Sequence, residues 1–223
     1  MKVNVIKKSI FIMLSVIAGI LAVSATVEFG RMMSGFSIRN REELSFAAGF
    51  AAYILVHFLL YKPVFMHVMA HELTHALWAL PFGGRADDMT ISTKGGRVKV
   101  SKTNFLISLA PYFFPLYAMA FALIYFIARD EYRVFIAFFM GAALSFHISL
   151  TLFSLRSSQS DFHADSDFVF SIIFVYLMNI IMISLVLTVL FKDINFITFM
   201  KNMFVNSAGL VAGVFKAANE AMK

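Results

Sequence analysis

The sequence predicts an all-α polytopic membrane protein with about six transmembrane helices and a short β-hairpin between the third and fourth helices. Of its 223 residues, 60% are hydrophobic and 14% are charged. In a soluble domain about 45–50% of the residues are apolar and about 25% are charged. The apolar residues form blocks of about 20, the length that a helix needs to cross hydrocarbon. Helices are expected because lipid offers no hydrogen-bond partner to an open backbone.

Six apolar segments are expected to span the membrane. We predict a single membrane domain, in which residues 1–62 form two N-terminal spans, residues 63–191 form the core and residues 192–223 form an amphipathic tail at the membrane interface. The six spans are predicted at residues 9–27, 44–61, 63–82, 105–128, 132–155 and 168–191.

The N-terminus admits two interpretations. Lys2, Lys7 and Lys8 precede an apolar stretch that ends near Ala25, which is the layout of a cleavable signal peptide. The apolar core is long for a signal and has the right length for a span, so we predict a retained first helix.

Particular residues mark where the next elements begin, bend or end. The second span is rich in Ala and Gly, which let membrane helices approach closely. Pro63 suits the first turn of the third span, and Gly83 and Gly84 end that span. Pro111 and Pro115 predict a kink in the fourth span.

Residues 83–103 differ from their surroundings because β-branched residues alternate with polar ones. This pattern around Gly95 and Gly96 predicts a β-hairpin. The open edges of such a hairpin can pair with an extended peptide, so Gly83, Gly84, Gly95 and Gly96 are candidate substrate-binding positions. The alternative is a plain surface hairpin that links two helices.

Composition excludes several classes of site and partner. The chain has no cysteine, which rules out disulfides, iron–sulfur clusters and thiolate zinc sites. The net charge of +6 is expected from basic residues that flank membrane helices near anionic lipid, and no motif indicates nucleic acid. We therefore predict a multi-pass integral protein, expected in a bacterial inner membrane, whose partner is the lipid bilayer. Basic residues divide evenly between the two sides, so the orientation stays open.

The strongest chemical signal is the HExxH segment formed by His71, Glu72 and His75, which lies within an apolar block. On a helix, this spacing puts two imidazoles one turn apart on one face, with a carboxylate beside them. Ionisable groups at membrane depth are costly and mark functional sites. We therefore predict a zinc ion (Zn²⁺) held by His71 and His75, with Glu72 as the general base.

A catalytic zinc usually has three protein ligands and one open position, so a third ligand must come from elsewhere in the chain. His67 lies one turn before His71, but three histidines on one helix cannot all bind one tetrahedral ion, because eight helical residues span about 12 Å. His67 is therefore interpreted as supporting the site or lining a pathway, and the alternative is a histidine of the core. Asp167 or Ser166 is expected to cap the last span, which leaves Asp161 and Asp165 freer to coordinate. The candidates are Asp161, Asp165, Asp167, His163, His147, Asp87 and Asp88.

Residues 68–84 (VMAHELTHALWALPFGG) resemble the signature of the site-2 proteases, a family of intramembrane zinc metalloproteases. Residues 108–115 (SLAPYFFP) are similar to the small-residue and proline block that follows the hairpin in that family. The resemblance covers about residues 63–128 well and the later spans more loosely. It implies zinc held by two His and one Asp, with a Glu as base, and cleavage of transmembrane or membrane-adjacent proteins.

In that family the third ligand lies in an Asn-Pro-x-Asp-Gly block, which this sequence lacks, as it lacks a PDZ or CBS domain. The nearest equivalent is residues 159–167, where the resemblance favours Asp161 over Asp165 and Asp167. Two other functions remain open. One is a catalytically silent relative that chaperones or tethers membrane proteins. The other is a metal transporter, for which several polar helices or repeated halves are expected.

Overall fold

The computed structural model describes residues 2–59, 63–93, 95–155 and 167–221, most of them in helices. Two helices, α1 and α2, precede helix α3, which carries the HExxH segment. Strands β1 and β2 follow α3, and helices α4 to α8 follow the strands. The bounds are α1 Lys2–Ser34, α2 Arg41–Leu59, α3 Val64–Ala79, β1 Ala86–Ser92, β2 Gly95–Val100, α4 Phe105–Phe113, α5 Leu116–Ile127, α6 Asp130–Leu155, α7 Phe168–Leu190 and α8 Phe196–Ala221.

Four helices among the described residues are long and apolar enough to cross a membrane, namely α1, α2, α6 and α7. The pair formed by α4 and α5 also passes this test as one bent span, which gives up to five. These helices indicate a membrane protein, but the predicted number of six spans is not confirmed.

The third predicted span, residues 63–82, contains a shorter helix than its apolar composition suggested. Helix α3 has 16 residues, or about 24 Å, against a hydrocarbon core of about 30 Å. The chain then tightens into a 3₁₀ turn at Leu80–Phe82, and Gly83 takes a left-handed conformation with φ of 69°. Such a glycine ends a helix without the steric penalty that a Cβ would bring.

The predicted kink in the fourth span is a complete break between α4 and α5. The two helices meet at an angle of 72°. Phe114 has an extended backbone, and Pro115 precedes the first residue of α5. Proline lacks the N–H that would continue the helical ladder, which explains why the chain turns here. Pro111 stands inside α4.

The chain divides into two compact units, Met1–Ser37 with Asp167–Lys223, and Ile38–Ser166. In the first unit, α1 packs against α7 and α8. The buried cluster there consists of Ala22, Ala25, Leu177, Ile180, Phe199 and Met203. The predicted tail is therefore one helix with a buried face.

In the second unit, α2 and α6 approach to backbone contact at two glycines. A Cβ on Gly49 would lie 1.9 Å from the carbonyl oxygen of Phe138, and one on Gly141 would lie 2.0 Å from that of Phe46. Small residues permit such close approach of membrane helices, as the composition of α2 predicted.

Candidate metal centre

The imidazoles of His71 and His75 converge on one face of α3. Their Nε2 atoms are 3.1 Å apart. Two nitrogens that share a tetrahedral zinc, each about 2.0–2.1 Å from it, would be about 3.3 Å apart. The backbone spacing of one helical turn and the two side-chain rotamers thus bring both nitrogens to the separation that one ion requires.

A backbone carbonyl fixes the tautomer of His75. Its Nδ1–H donates to the carbonyl oxygen of Ile107 at 2.8 Å, because a carbonyl can only accept. The lone pair of His75 therefore sits on Nε2, which faces His71. A ring nitrogen held by a carbonyl is the usual support of a metal-binding histidine.

The position of Ile107 is itself determined locally. Ile107 lies in the first turn of α4, and its N–H donates to the side-chain oxygen of the N-cap residue Asn104 at 3.0 Å. Ile107 is also fully buried. The capped start of α4 therefore holds the carbonyl that orients His75.

The side chain of Glu72, which belongs to α3, is buried against the hairpin. Its residue is only 8% exposed, and a Cβ on Gly96 would lie 3.0 Å from its Oε1 and 2.5 Å from Cγ1 of Val68. Strand β2 thus lies directly on α3 at the general-base position. Glu72 is one residue from His71, or about 100° around the helix, so it follows the first histidine on α3 and its side chain faces strand β2.

A small cavity adjoins His71 on the side facing α6. Its volume is about 20 Å³, which is room for a single water molecule. Nε2 of His67 lies 3.1 Å from Oγ of Ser154, which ties the start of α3 to the end of α6. Side chains that can hydrogen-bond contribute to the lining, namely His67, His71, Thr74, Tyr117, His147 and Thr151.

The structure does not bring a third ligand to the two histidines within its described residues, where no group of three or more His, Asp or Glu is arranged to hold a metal. Asp161 and Asp165 lie outside those residues, as does His163. Asp167 caps α7, and its carboxylate accepts from the N–H of Val169 at 2.9 Å. The predicted cap is therefore present.

No family model, curated protein or solved structure matches this chain. Its possible chemistry follows from the arrangement of three side chains. His71 and His75 bring their Nε2 atoms together, and Glu72 is the adjacent residue on the same helix, buried against the hairpin. Two imidazoles with a neighbouring acid can hold a divalent ion and move a proton at the same place.

Strands β1 and β2 form a small two-stranded antiparallel sheet, with Ala86 opposite Val100 and Ser92 opposite Gly95. Gly84 packs on Ala79, as Gly96 packs on Glu72. These contacts give the glycines a role in packing the hairpin against α3. Peptide binding at Gly83, Gly84, Gly95 and Gly96 stays a prediction.

Two parts of the centre had no recognisable signal in the sequence. The carbonyl of Ile107 is a group that every residue possesses, so only the fold shows which one meets His75. Gly96 was expected as a hairpin glycine, but its contact with Glu72 depends on how the hairpin folds back onto α3.

Proposed function

We propose that this protein is an intramembrane zinc metalloprotease that hydrolyses peptide bonds of transmembrane or membrane-adjacent proteins. The observation that supports this best is the 3.1 Å separation of the Nε2 atoms of His71 and His75. Glu72, the residue that follows His71, is buried on the same helix. Helix α3 is otherwise rich in apolar residues, where ionisable groups are costly unless they serve a function.

His71 and His75 would hold the zinc through Nε2, with Asp161 as the favoured third ligand and Asp165 and Asp167 as the alternatives. The two nitrogens fit the ion because their separation is close to that of two ligands on one tetrahedral centre. When bound, zinc supplies the Lewis acidity that makes water nucleophilic near neutral pH.

Glu72 performs the proton transfers. Its carboxylate accepts a proton from the attacking water and donates it to the leaving amine nitrogen. Ile107 keeps the ring of His75 in the tautomer with Nδ1–H. The burial of Glu72 under Gly96 shields the carboxylate from bulk water.

The hairpin would hold the substrate in extended form. A helical peptide bond is shielded by its own hydrogen bonds, so the substrate must unwind before cleavage. In the described part of the chain β1 and β2 form a two-stranded sheet, whose outer edges can accept another strand. Gly83, Gly84, Gly95 and Gly96 would shape that surface. The proposed setting is a multi-pass protein of a bacterial inner membrane.

The test is a comparison of zinc content and cleavage in matched variants. Purified full-length protein should carry one zinc per chain by mass spectrometry of the metal, and His71→Ala or His75→Ala should lose it. Glu72→Gln should retain the zinc. In cells, new N-termini in membrane proteins should appear with the parent chain and disappear with Glu72→Gln.

Two outcomes would count against the proposal. Cleavage that persists in Glu72→Gln would show that this carboxylate is not the base. A parent chain without zinc and without Glu72-dependent new termini would favour the catalytically silent chaperone or tether.

A further inference from the structure

A groove opens between α2 and α6 beyond their closest approach. The two helices run in the same direction, because Gly49 meets Phe138 and Tyr53 packs on Phe146 further along both. Beside the Tyr53–Phe146 contact and beyond it, the groove has a volume of about 450 Å³. Its walls are mostly large apolar side chains, namely Phe50, Ile54, Phe58, Ile148, Leu152 and Phe153.

The floor of this groove carries a buried hydroxyl that lacks a partner. Ser145 is 1% exposed, and its Oγ has no hydrogen bond within the described residues. Several other buried hydroxyls on helices donate to the carbonyl four residues earlier, as Thr74 and Ser184 do at 2.7 and 2.8 Å. A buried hydroxyl without a partner is costly, so an acceptor from outside would stabilise it.

The depth of Ser145 indicates what kind of molecule can supply that acceptor. Ser145 is 15 residues from Asp130, which puts it within about 4 Å of the middle of α6. If α6 crosses the bilayer, this hydroxyl lies near the midplane. Lipid tails carry no acceptor at that depth, because lipid esters lie in the interfacial region. A membrane-spanning polypeptide does carry acceptors there, through a Ser or Thr side chain or a carbonyl beside a small residue.

We propose that the groove between α2 and α6 is a docking site for a transmembrane segment of a protein substrate, with a small or hydroxyl residue at its centre. This inference rests on the proposed proteolytic function for the identity of the partner. It fits the position of the groove, since the opposite side of α6 lines the cavity at the histidines through Ala143, His147 and Thr151. A segment bound in the groove lies one helix away from His71.

Binding can be measured without cleavage. The chain has no cysteine, so Leu152→Cys provides a single labelling site at the groove. The protein with both Leu152→Cys and Glu72→Gln is labelled with a donor fluorophore and placed in phosphatidylcholine vesicles. The probe is an acceptor-labelled polyleucine transmembrane peptide with a central Gly-Ser pair. Energy transfer should be saturable, and it should be weaker for an all-leucine peptide.

Two variants of Ser145 and one matched control test the site. Loss of one hydrogen bond in a membrane weakens association about three-fold to ten-fold, so Ser145→Ala should reduce peptide affinity by that factor. Ser145→Leu should abolish binding by filling the groove. Ser24→Ala is the control, because the hydroxyl of Ser24 is equally buried and also lacks a partner within the described residues, but it does not line the groove.

Three results would overturn the docking site. Affinity that is the same for both peptides and unaffected by Ser145→Ala would indicate non-specific contact or occupation by lipid. Energy transfer between donor-labelled and acceptor-labelled copies of the chain, abolished by Ser145→Leu, would assign the groove to self-association. Equal loss of binding in Ser24→Ala would point to a general defect. Specific peptide binding without Glu72-dependent cleavage would support the docking site and contradict the proposed proteolytic function.

Discussion

Gly96 of β2 lies in direct contact with Glu72 of α3, where a Cβ would stand 2.8 Å from Cγ and 3.0 Å from Oε1 of the carboxylate side chain. A residue larger than glycine at position 96 must therefore displace either the hairpin or the general base. The hairpin thus takes part in positioning Glu72.

Gly96→Ala is expected to retain zinc and to lose cleavage. A displacement of about 1 Å at a catalytic group can lower the rate about 10²-fold. The measurement is the yield of new N-termini in membrane proteins alongside zinc content. Gly209→Ala in α8 is the control, since its added Cβ meets no described atom within 4 Å apart from its chain neighbours and the backbone of its own helix. Full cleavage by Gly96→Ala would show that the contact does not constrain Glu72.

Asn104→Ala should weaken zinc binding although Asn104 does not touch the ion. It removes the cap that holds Ile107, and loss of support for a ligating histidine costs about 10- to 100-fold in metal affinity. Asn104→Asp, which can also cap, should restore binding. Competition with a zinc chelator measures the affinity.

The matched control for the cap is Asn195, whose side chain accepts from the N–H of Thr198 at 2.9 Å at the start of α8. Asn195→Ala should cost about 1 kcal/mol of stability, as a cap does, with no change in zinc affinity. If both variants lose zinc equally, the effect of Asn104→Ala is due to general destabilisation and not to the position of Ile107.

The third ligand can be assigned by substitution of each acid in turn. Asp161→Ala should remove zinc, and Asp165→Ala should retain it. Asp167→Asn should also retain zinc, because asparagine preserves the cap at the start of α7. The readout is metal content per purified chain. Zinc loss only in Asp165→Ala or only in Asp167→Asn would transfer the ligand to that residue.

Gly49→Ala and Gly141→Ala should each destabilise the second unit by at least about 2 kcal/mol, because the added methyl group meets a backbone oxygen that cannot rotate away. Unfolding in detergent, followed by circular dichroism, measures the change. Gly19→Ala in α1, where the added Cβ has no described neighbour within 4 Å, should be neutral or slightly stabilising. Unchanged midpoints in both glycine variants would contradict the close packing of α2 and α6.

Local signals predicted local features well. The HExxH spacing placed His71 and His75 on one face of α3, the prolines marked the break after Phe114, and Asp167 was expected to cap the last span. Each of these depends on residues within one or two turns. Their physical causes are therefore readable along the chain.

Features that depend on distant residues were not predictable. An apolar run of 20 residues does not distinguish a full span from a shorter helix that ends in a turn, as α3 does at Leu80–Phe82. The pairing of His75 with the carbonyl of Ile107 joins residues 32 positions apart. The grouping of α1 with α7 and α8 likewise arises from packing between distant segments.

Because α2 and α6 point the same way, the chain must cross an odd number of times between them if both helices cross a bilayer. Helix α3 runs opposite to α6, because His67 near its start contacts Ser154 near the end of α6 and Thr74 lines the same cavity as Ala143. Helix α5 also runs towards the start of α6, where the guanidinium of Arg133 lies over the ring of Tyr125. The chain therefore passes from the end of α2 to the start of α6 through α3, α4 and α5 together, so the helix that carries the histidines is itself part of that passage.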